Sequence, residues 1–224
     1  MTSRVALLDL YDTLVWSEWS GLRDRICERL KVEPRELIRA FSRTRDDRAV
    51  GAYADAAEDM TAVMHALGIE DPATIEDVVK LEREFFSTPR VHLHEDSLPV
   101  LRELRARGAR TALVSNCSHS TRPEVERLGL DREMDAIVLS FEVRARKPQP
   151  AIYLAALQQL GGVDPSDAVF VDDQVEYCGG AQAVGIDTRL IVRDGFEPPE
   201  GYAPDPDGHR EIGDLGALLE DLTR

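Results

Sequence analysis

Apolar and polar residues fall along this chain in a rhythm that changes twice. Val5-Ala6-Leu7-Leu8 is an unbroken apolar run that stops at Asp9, passes Asp12 and Thr13, and turns apolar again at Leu14-Val15. An apolar run of strand length predicts a strand buried on both faces, as in a parallel sheet. From about Ser17 to Arg90 the spacing becomes helical. Leu22, Ile26 and Leu30 form one stripe, Leu37, Ile38 and Phe41 a second, and Met60, Val63, Met64 and Leu67, closed by Gly68, a third. A fourth runs from Val78 to Phe86 and ends near Pro89. From His94 onward short apolar runs alternate with helical stripes. The runs 111–114, 136–139, 168–171 and 189–192 read as strands, and the stripes 98–108, 122–128, 150–160 and 175–184 as helices. The Pro- and Gly-rich segment 195–208 reads as a surface loop, and Ile212, Leu215, Leu218, Leu219 and Leu222 predict a closing amphipathic helix.

This alternation predicts the α/β class: a doubly wound, Rossmann-like parallel sheet with helices on both faces. The helical stretch 16–90 shows no strand signal and predicts a small α-helical cap domain, inserted into a core made of 1–15 and 91–224. Gly179-Gly180 stands outside any phosphate-loop pattern and reads as close helix packing.

Composition narrows the function. A formal net charge of −15 offers no basic stripe to nucleic acid, although a metal ion or a few cations can still admit a small anionic substrate. No apolar stretch reaches membrane-span length, and the first one carries Asp9, unlike a signal peptide; a cytoplasmic protein is expected. Cys27, Cys117 and Cys178 have no paired spacing and read as reduced thiols, Cys117 as a small filler. The cations are nearly all Arg. The three Lys are Lys31, Lys80 and Lys147, and Asn116 is the single Asn, which draws attention to positions 116 and 147.

Three strands end in polar residues: Asp9 to Thr13, Ser115-Asn116 and Asp172-Asp173. In a parallel sheet these ends share one edge, where ligands bind. Lys147 opens a helix leading back to the same edge. A carboxylate there can attack phosphorus or carbon, hydroxyls can hold the transferring oxygens, a Lys can neutralise charge, and a carboxylate pair can hold Mg2+. Taken together and in order, Asp9 and Thr13, Ser115, Lys147 and Asp172-Asp173 resemble the four motifs of the haloacid dehalogenase-like (HAD) hydrolase superfamily over residues 4–193. The resemblance implies Asp9 as nucleophile, with Thr13, Ser115 and Lys147 catalytic beside it. It also implies a cap that sets substrate choice, and Mg2+ held by Asp9, the Tyr11 backbone carbonyl and Asp173, with Asp172 beside them.

The chain departs from that pattern in informative places. The phosphatases carry a second Asp, the acid and base, where Tyr11 stands here, and a phenol of pKa about 10 is a poor base at neutral pH. The 2-haloacid dehalogenases carry Tyr there, and halide needs no proton to leave. Yet Asp172-Asp173 follows the metal-dependent phosphatases, while Tyr177 replaces a further acidic or amide residue, with Glu176 as a neighbouring substitute. Asp12, where the family has Gly, either replaces the acid or shapes the turn. Tyr11, Asn116 and Arg39 are candidates to touch substrate. Arg39, Arg43 and Arg45 otherwise form a solvated helix face, Asn116 otherwise orients the turn beside Ser115, and His119 reads as surface. Trp16 and Trp19 either wall the site or pack the hinge. The expected activity is a Mg2+-dependent phosphohydrolase of a small phosphorylated metabolite through an aspartyl-phosphate on Asp9. The alternatives are a 2-haloacid dehalogenase and a degenerate member with a binding or non-hydrolytic role.

Overall fold

A computed structural model describes residues 5–193 and 208–221. The segment 195–208, expected as a loop, lies outside the described residues apart from Gly208. Six strands form one sheet: β1 Val5–Leu8, β4 Arg110–Ser115, β5 Ala136–Leu139, β6 Ala168–Asp172, β7 Asp187–Ile191 and β8 Arg210–Ile212. Their order is β5-β4-β1-β6-β7-β8, and every pairing is parallel. Two further strands, β2 Val15–Ser17 and β3 Val91–Leu93, pair antiparallel in a separate ribbon.

Side chains alternate across β1 and build one core on each face. Ala6 and Leu8 join Val100, Leu101 and Leu104 of α6 (Ser97–Ala106), Val125 of α7 (Thr121–Arg127) and Leu130 of α8 (Leu130–Glu133). Val5 and Leu7 join Ile152, Tyr153 and Ala156 of α10 (Pro150–Gln159) and Ala181 of α11 (Val175–Gln182). The short α9 (Ser140–Val143) follows β5 directly. From β1 the chain goes to β4 and β5 on one side, then crosses to β6 and β7 on the other. The crossing makes the carboxyl end of β1, between β4 and β6, the topological switch point where a ligand crevice opens.

Residues 19–85 form five helices: α1 Trp19–Leu30, α2 Pro34–Arg43, α3 Arg45–Ala49, α4 Ala56–Leu67 and α5 Pro72–Phe85. They bury their own cluster around Leu22, Ile26, Leu37, Met60, Val63, Met64, Val78 and Phe85. Asp55 and Asp71 cap α4 and α5 by accepting the Glu58 and Thr74 N–H groups. The helical stripes match four of these helices; the five-residue α3 was too short to show a period. The ribbon was also invisible in the pattern. Its strands are three residues each, too short for alternation to register, and β2 begins inside the apolar Leu14-Val15.

The end of the described chain corrects one expectation. Residues 212–221 are not one amphipathic helix, and Leu222 lies outside the described residues. Ile212 pairs with Ile191 as the last residue of β8, and Asp214 accepts the Gly216 N–H to start a 3-10 turn, Leu215–Ala217, before α12 (Leu218–Asp221). The apolar period survives because Ile212, Leu215 and Leu218 all face the core.

Candidate active site

The polar strand ends do meet at the switch point. Lys147 is almost fully buried, and its ammonium donates to Asp9 Oδ1 at 2.5 Å and to Asp172 Oδ2 at 2.6 Å. The rings of Tyr177 and Phe170 lie 5.0 and 5.5 Å from it, a cation–π floor. Burial alone disfavours the ammonium, but Asp172 and Asp9 outweigh it and hold Lys147 in its charged form. Burial pushes Asp172 up against the pull of Lys147. The other Asp172 oxygen accepts the Gln174 N–H at 2.8 Å.

Lys147 is aimed by its backbone. Asn116 Oδ1 accepts the Lys147 N–H at 2.7 Å, and Asn116 Nδ2 donates to the Lys147 carbonyl at 2.9 Å. The amide expected beside the substrate is thus spent on positioning the lysine. Gly180 permits the same placement from behind: a Cβ there would meet Pro148 at 2.7 Å. The close-packing role expected of the glycine pair therefore falls on Gly180.

Thr13 and Ser115 are both fully buried, and neither hydroxyl has a partner. A buried hydroxyl without a hydrogen bond costs free energy unless a ligand supplies one. Their backbones are fixed elsewhere. Arg193 donates from Nε and Nη2 to the Thr13 carbonyl, Ser97 Oγ donates to the Leu14 carbonyl at 2.7 Å, and Ser140 Oγ joins the Cys117 N–H and carbonyl just after Ser115.

The carboxylates of Asp9, Asp172 and Asp173 offer oxygens within 4.8 Å of one another. Burial and the Asp9 charge raise Asp173 to about 6. Oxygen donors crowded so closely suit a hard cation such as Mg2+. Asp172 spends an oxygen on Lys147 and the other on Gln174, so Asp9 and Asp173 are the better donors. The turn over motif one is closed by the Asp12 N–H to Val15 and by the Leu14 and Val15 N–H groups to Leu10, which leaves the Tyr11 carbonyl out of these bonds. Glu176 is exposed and lies outside the carboxylate cluster, so it does not replace the residue lost at 177.

Tyr11 is hydrogen-bonded to α7 and not to Asp9. Its hydroxyl shares a 3.3 Å hydrogen bond with Thr121 at the start of α7, its ring packs on the core, and burial pushes its pKa up. Asp12 takes φ +59, the left-handed backbone of the glycine it replaces, so it does shape the turn. The Cys117 thiol is buried and pushed up to about 12, which fits a filler.

Among the three arginines, Arg39 is exposed on α2 and Arg43 donates to the Ala66 carbonyl, whereas Arg45 reaches the site by donating to Tyr177 Oη at 2.5 Å. Of the three, Arg45 is thus the one bonded to a residue packed against Lys147. Arg45 is itself exposed but opens α3, whose path carries its guanidinium to Tyr177, and without α3 the sequence could not separate the three. His119 is not a plain surface residue either: Asp59 Oδ2 faces its Nδ1 at 2.9 Å and accepts its N–H at 3.3 Å. Trp16 is exposed and stacks on His92, while Trp19 lines a cavity described below. Arg193 was missed altogether, since nothing local marks a residue that acts on the Thr13 carbonyl, 180 positions away.

Comparison with known proteins turns this geometry into a family. The model of the haloacid dehalogenase-like hydrolases matches residues 4–185. The chain belongs to this family. It is a HAD hydrolase, and its relatives divide between two chemistries. The (S)-2-haloacid dehalogenase 4A of Burkholderia cepacia is 25% identical over 186 residues, 83% of this chain and 78% of that one. The glyceraldehyde 3-phosphate phosphatase of Methanopyrus kandleri is 31% identical over 129 residues, 57% of this chain and 55% of that one. The crystal structure of a 2-haloacid dehalogenase from Pseudomonas syringae superposes with a TM-score of 0.71 at 26% identity, covering 100% of this chain and 99% of that one. No helix among the described residues is long and apolar enough to cross a membrane.

Proposed function

We propose that this HAD hydrolase is a Mg2+-dependent phosphohydrolase of a small, anionic phosphorylated metabolite, that residues 16–90 act as its substrate-selecting cap, and that it works in the cytoplasm. The observation that carries the reading is the pair of buried, unpartnered hydroxyls of Thr13 and Ser115 on the sheet edge that holds Asp9 and Lys147. Three phosphoryl oxygens need donors, and a transferring phosphoryl group would supply the bonds these hydroxyls lack. A 2-haloacid could meet them only through its carboxylate, and would make no use of the Asp172–Asp173 pair beside Asp9.

An Asp9 oxygen attacks phosphorus and the bond to the leaving group breaks, giving an aspartyl-phosphate; water then attacks the phosphorus and restores the Asp9 carboxylate. The Lys147 ammonium orients the Asp9 carboxylate and offsets the repulsion between two anions. Thr13 and Ser115 donate to the phosphoryl oxygens. Mg2+, held by Asp9, Asp173 and the Tyr11 carbonyl, would supply a further positive charge at the phosphoryl group.

The test is phosphate release from a panel of phosphorylated metabolites with and without Mg2+. Release should require the metal and be lost in Asp9→Asn. The dehalogenase reading is favoured by Tyr11 and by the Burkholderia cepacia relative. Metal-independent halide release from 2-haloacids, with no phosphate release, would establish it instead.

A further inference from the structure

Cleaving a phosphate ester places negative charge on the leaving oxygen, and what that oxygen needs depends on its acidity. An alkoxide is about as basic as hydroxide and needs a proton as the bond breaks. A phenoxide, with a conjugate acid near pKa 10 or below, leaves without one. The proton donors around Asp9 are committed elsewhere. The Tyr11 hydroxyl pairs with Thr121, the Lys147 ammonium is held between Asp9 and Asp172, and the His119 ring faces Asp59. Among the described residues near Asp9 this leaves Asp173, which accepts from Gln174 Nε2 and belongs to the carboxylate cluster, and Asp12, which shapes the left-handed turn and whose carboxyl is raised by burial and by the Asp9 charge.

A second observation concerns the space beside the site. A cavity of about 270 Å³ is lined by Trp19, Ile38, Phe41, Ser42, Arg45 and Arg48. Trp19 and Phe41 meet edge to face at 4.8 Å. Arg45 belongs to this cavity and to the site at once, because it donates to Tyr177, whose ring lies 5.0 Å from the Lys147 ammonium. Aromatic walls and guanidinium planes favour a flat, apolar, electron-rich guest.

We infer that the preferred substrate is an aryl phosphate, whose phosphoryl group meets Asp9 while its ring enters the cavity beside Arg45. This rests on the phosphohydrolase reading above. The Asp9–phosphorus bond forms as the phosphorus–aryl oxygen bond breaks, and the electron pair departs on the aryl oxide with no proton supplied by the protein. Water oxygen then bonds to phosphorus, the Asp9–phosphorus bond breaks, and the water protons pass to the released phosphate and solvent.

The experiment compares phosphate release, in Mg2+, from 4-nitrophenyl phosphate, phenyl phosphate, glycerol phosphate and acetyl phosphate. Turnover should fall by about 100-fold or more from the nitrophenyl to the glycerol ester, the usual worth of a general acid. Tyr11→Asp should narrow that gap. Ile38→Asn, at a position already 44% exposed, should raise KM for phenyl phosphate about 3- to 10-fold and leave acetyl phosphate, which has no ring, less affected. Equal turnover of aryl and glycerol esters overturns the inference alone. So does an Asp12→Asn variant that loses the glycerol ester selectively, since Asp12 would then be the acid. No release from any of the four, acetyl phosphate included, overturns the phosphohydrolase reading and this inference with it.

Discussion

Two clusters of charged side chains, one on the sheet edge and one against the helices, are built on different terms. On the sheet edge Lys147 bridges Asp9 and Asp172, Gln174 takes the remaining Asp172 oxygen, and Asn116 and Gly180 fix the lysine from behind. Against the helices Asp59 faces His119 across from the loop after Ser115, with Arg48 and Glu82 around the same small cavity. There Asp59 keeps one buried oxygen without a partner, and burial together with the Asp59 charge raises Glu82 to about 7. The first cluster is closed except toward the ligand. The second is incompletely satisfied, and it joins the helices to the loop that follows Ser115. Buried charges in a rigid, saturated network specify one geometry; an undersaturated network can rearrange at lower cost.

The largest effect should come from opening the first cluster. Lys147→Met strands two carboxylates in the core and should cost about 3–5 kcal/mol, read as a lower urea midpoint, besides abolishing turnover. Gly180→Ala pushes a methyl group against Pro148 and should cost about 1–3 kcal/mol, with a fall in kcat from the displaced lysine. Asp59→Ala removes the acceptor of the His119 N–H and should cost about 1–3 kcal/mol, lowering kcat less than Gly180→Ala. Equal catalytic losses in these two variants would erase the distinction between the clusters.

Protons should give the smallest effects. Glu82 binds its proton more tightly folded (about 7) than unfolded (4.5), so its contribution is full below pH 4.5 and lost as pH rises to about 7. Glu82→Gln should flatten that decline, a change of about 2–4 °C in Tm for each kcal/mol involved. Asp173 follows the same sign between 3.8 and about 6. Mg2+ needs it ionised, so the Tm gained on adding Mg2+ should grow as pH rises through 6. A metal effect independent of pH would remove Asp173 from the ligand set.

The contrast also explains what could be read from the sequence. Val5–Leu8 and the later apolar runs announced the parallel sheet, and a parallel sheet brings its carboxyl ends together whatever loops intervene. Asp9, Ser115 and Asp172 were therefore placed by topology, and Lys147 stood out as one of three lysines. Contacts between helices and loops have no such rule. Arg45 and Arg39 look alike in sequence until α3 carries one to Tyr177. His119 looks like surface until Asp59, 60 positions earlier, meets it. The Asn116 side chain had the correct neighbour, but its bonds to the Lys147 backbone depend on a loop path no pattern encodes.

The two tryptophans, Trp16 and Trp19, sit where the ribbon enters the helices, one stacked on His92 and the other in the cavity beside Arg45. The chain has no other indole. Its emission spectrum is thus a built-in optical probe of that seam, and ligand entry can be followed by fluorescence without attaching a label.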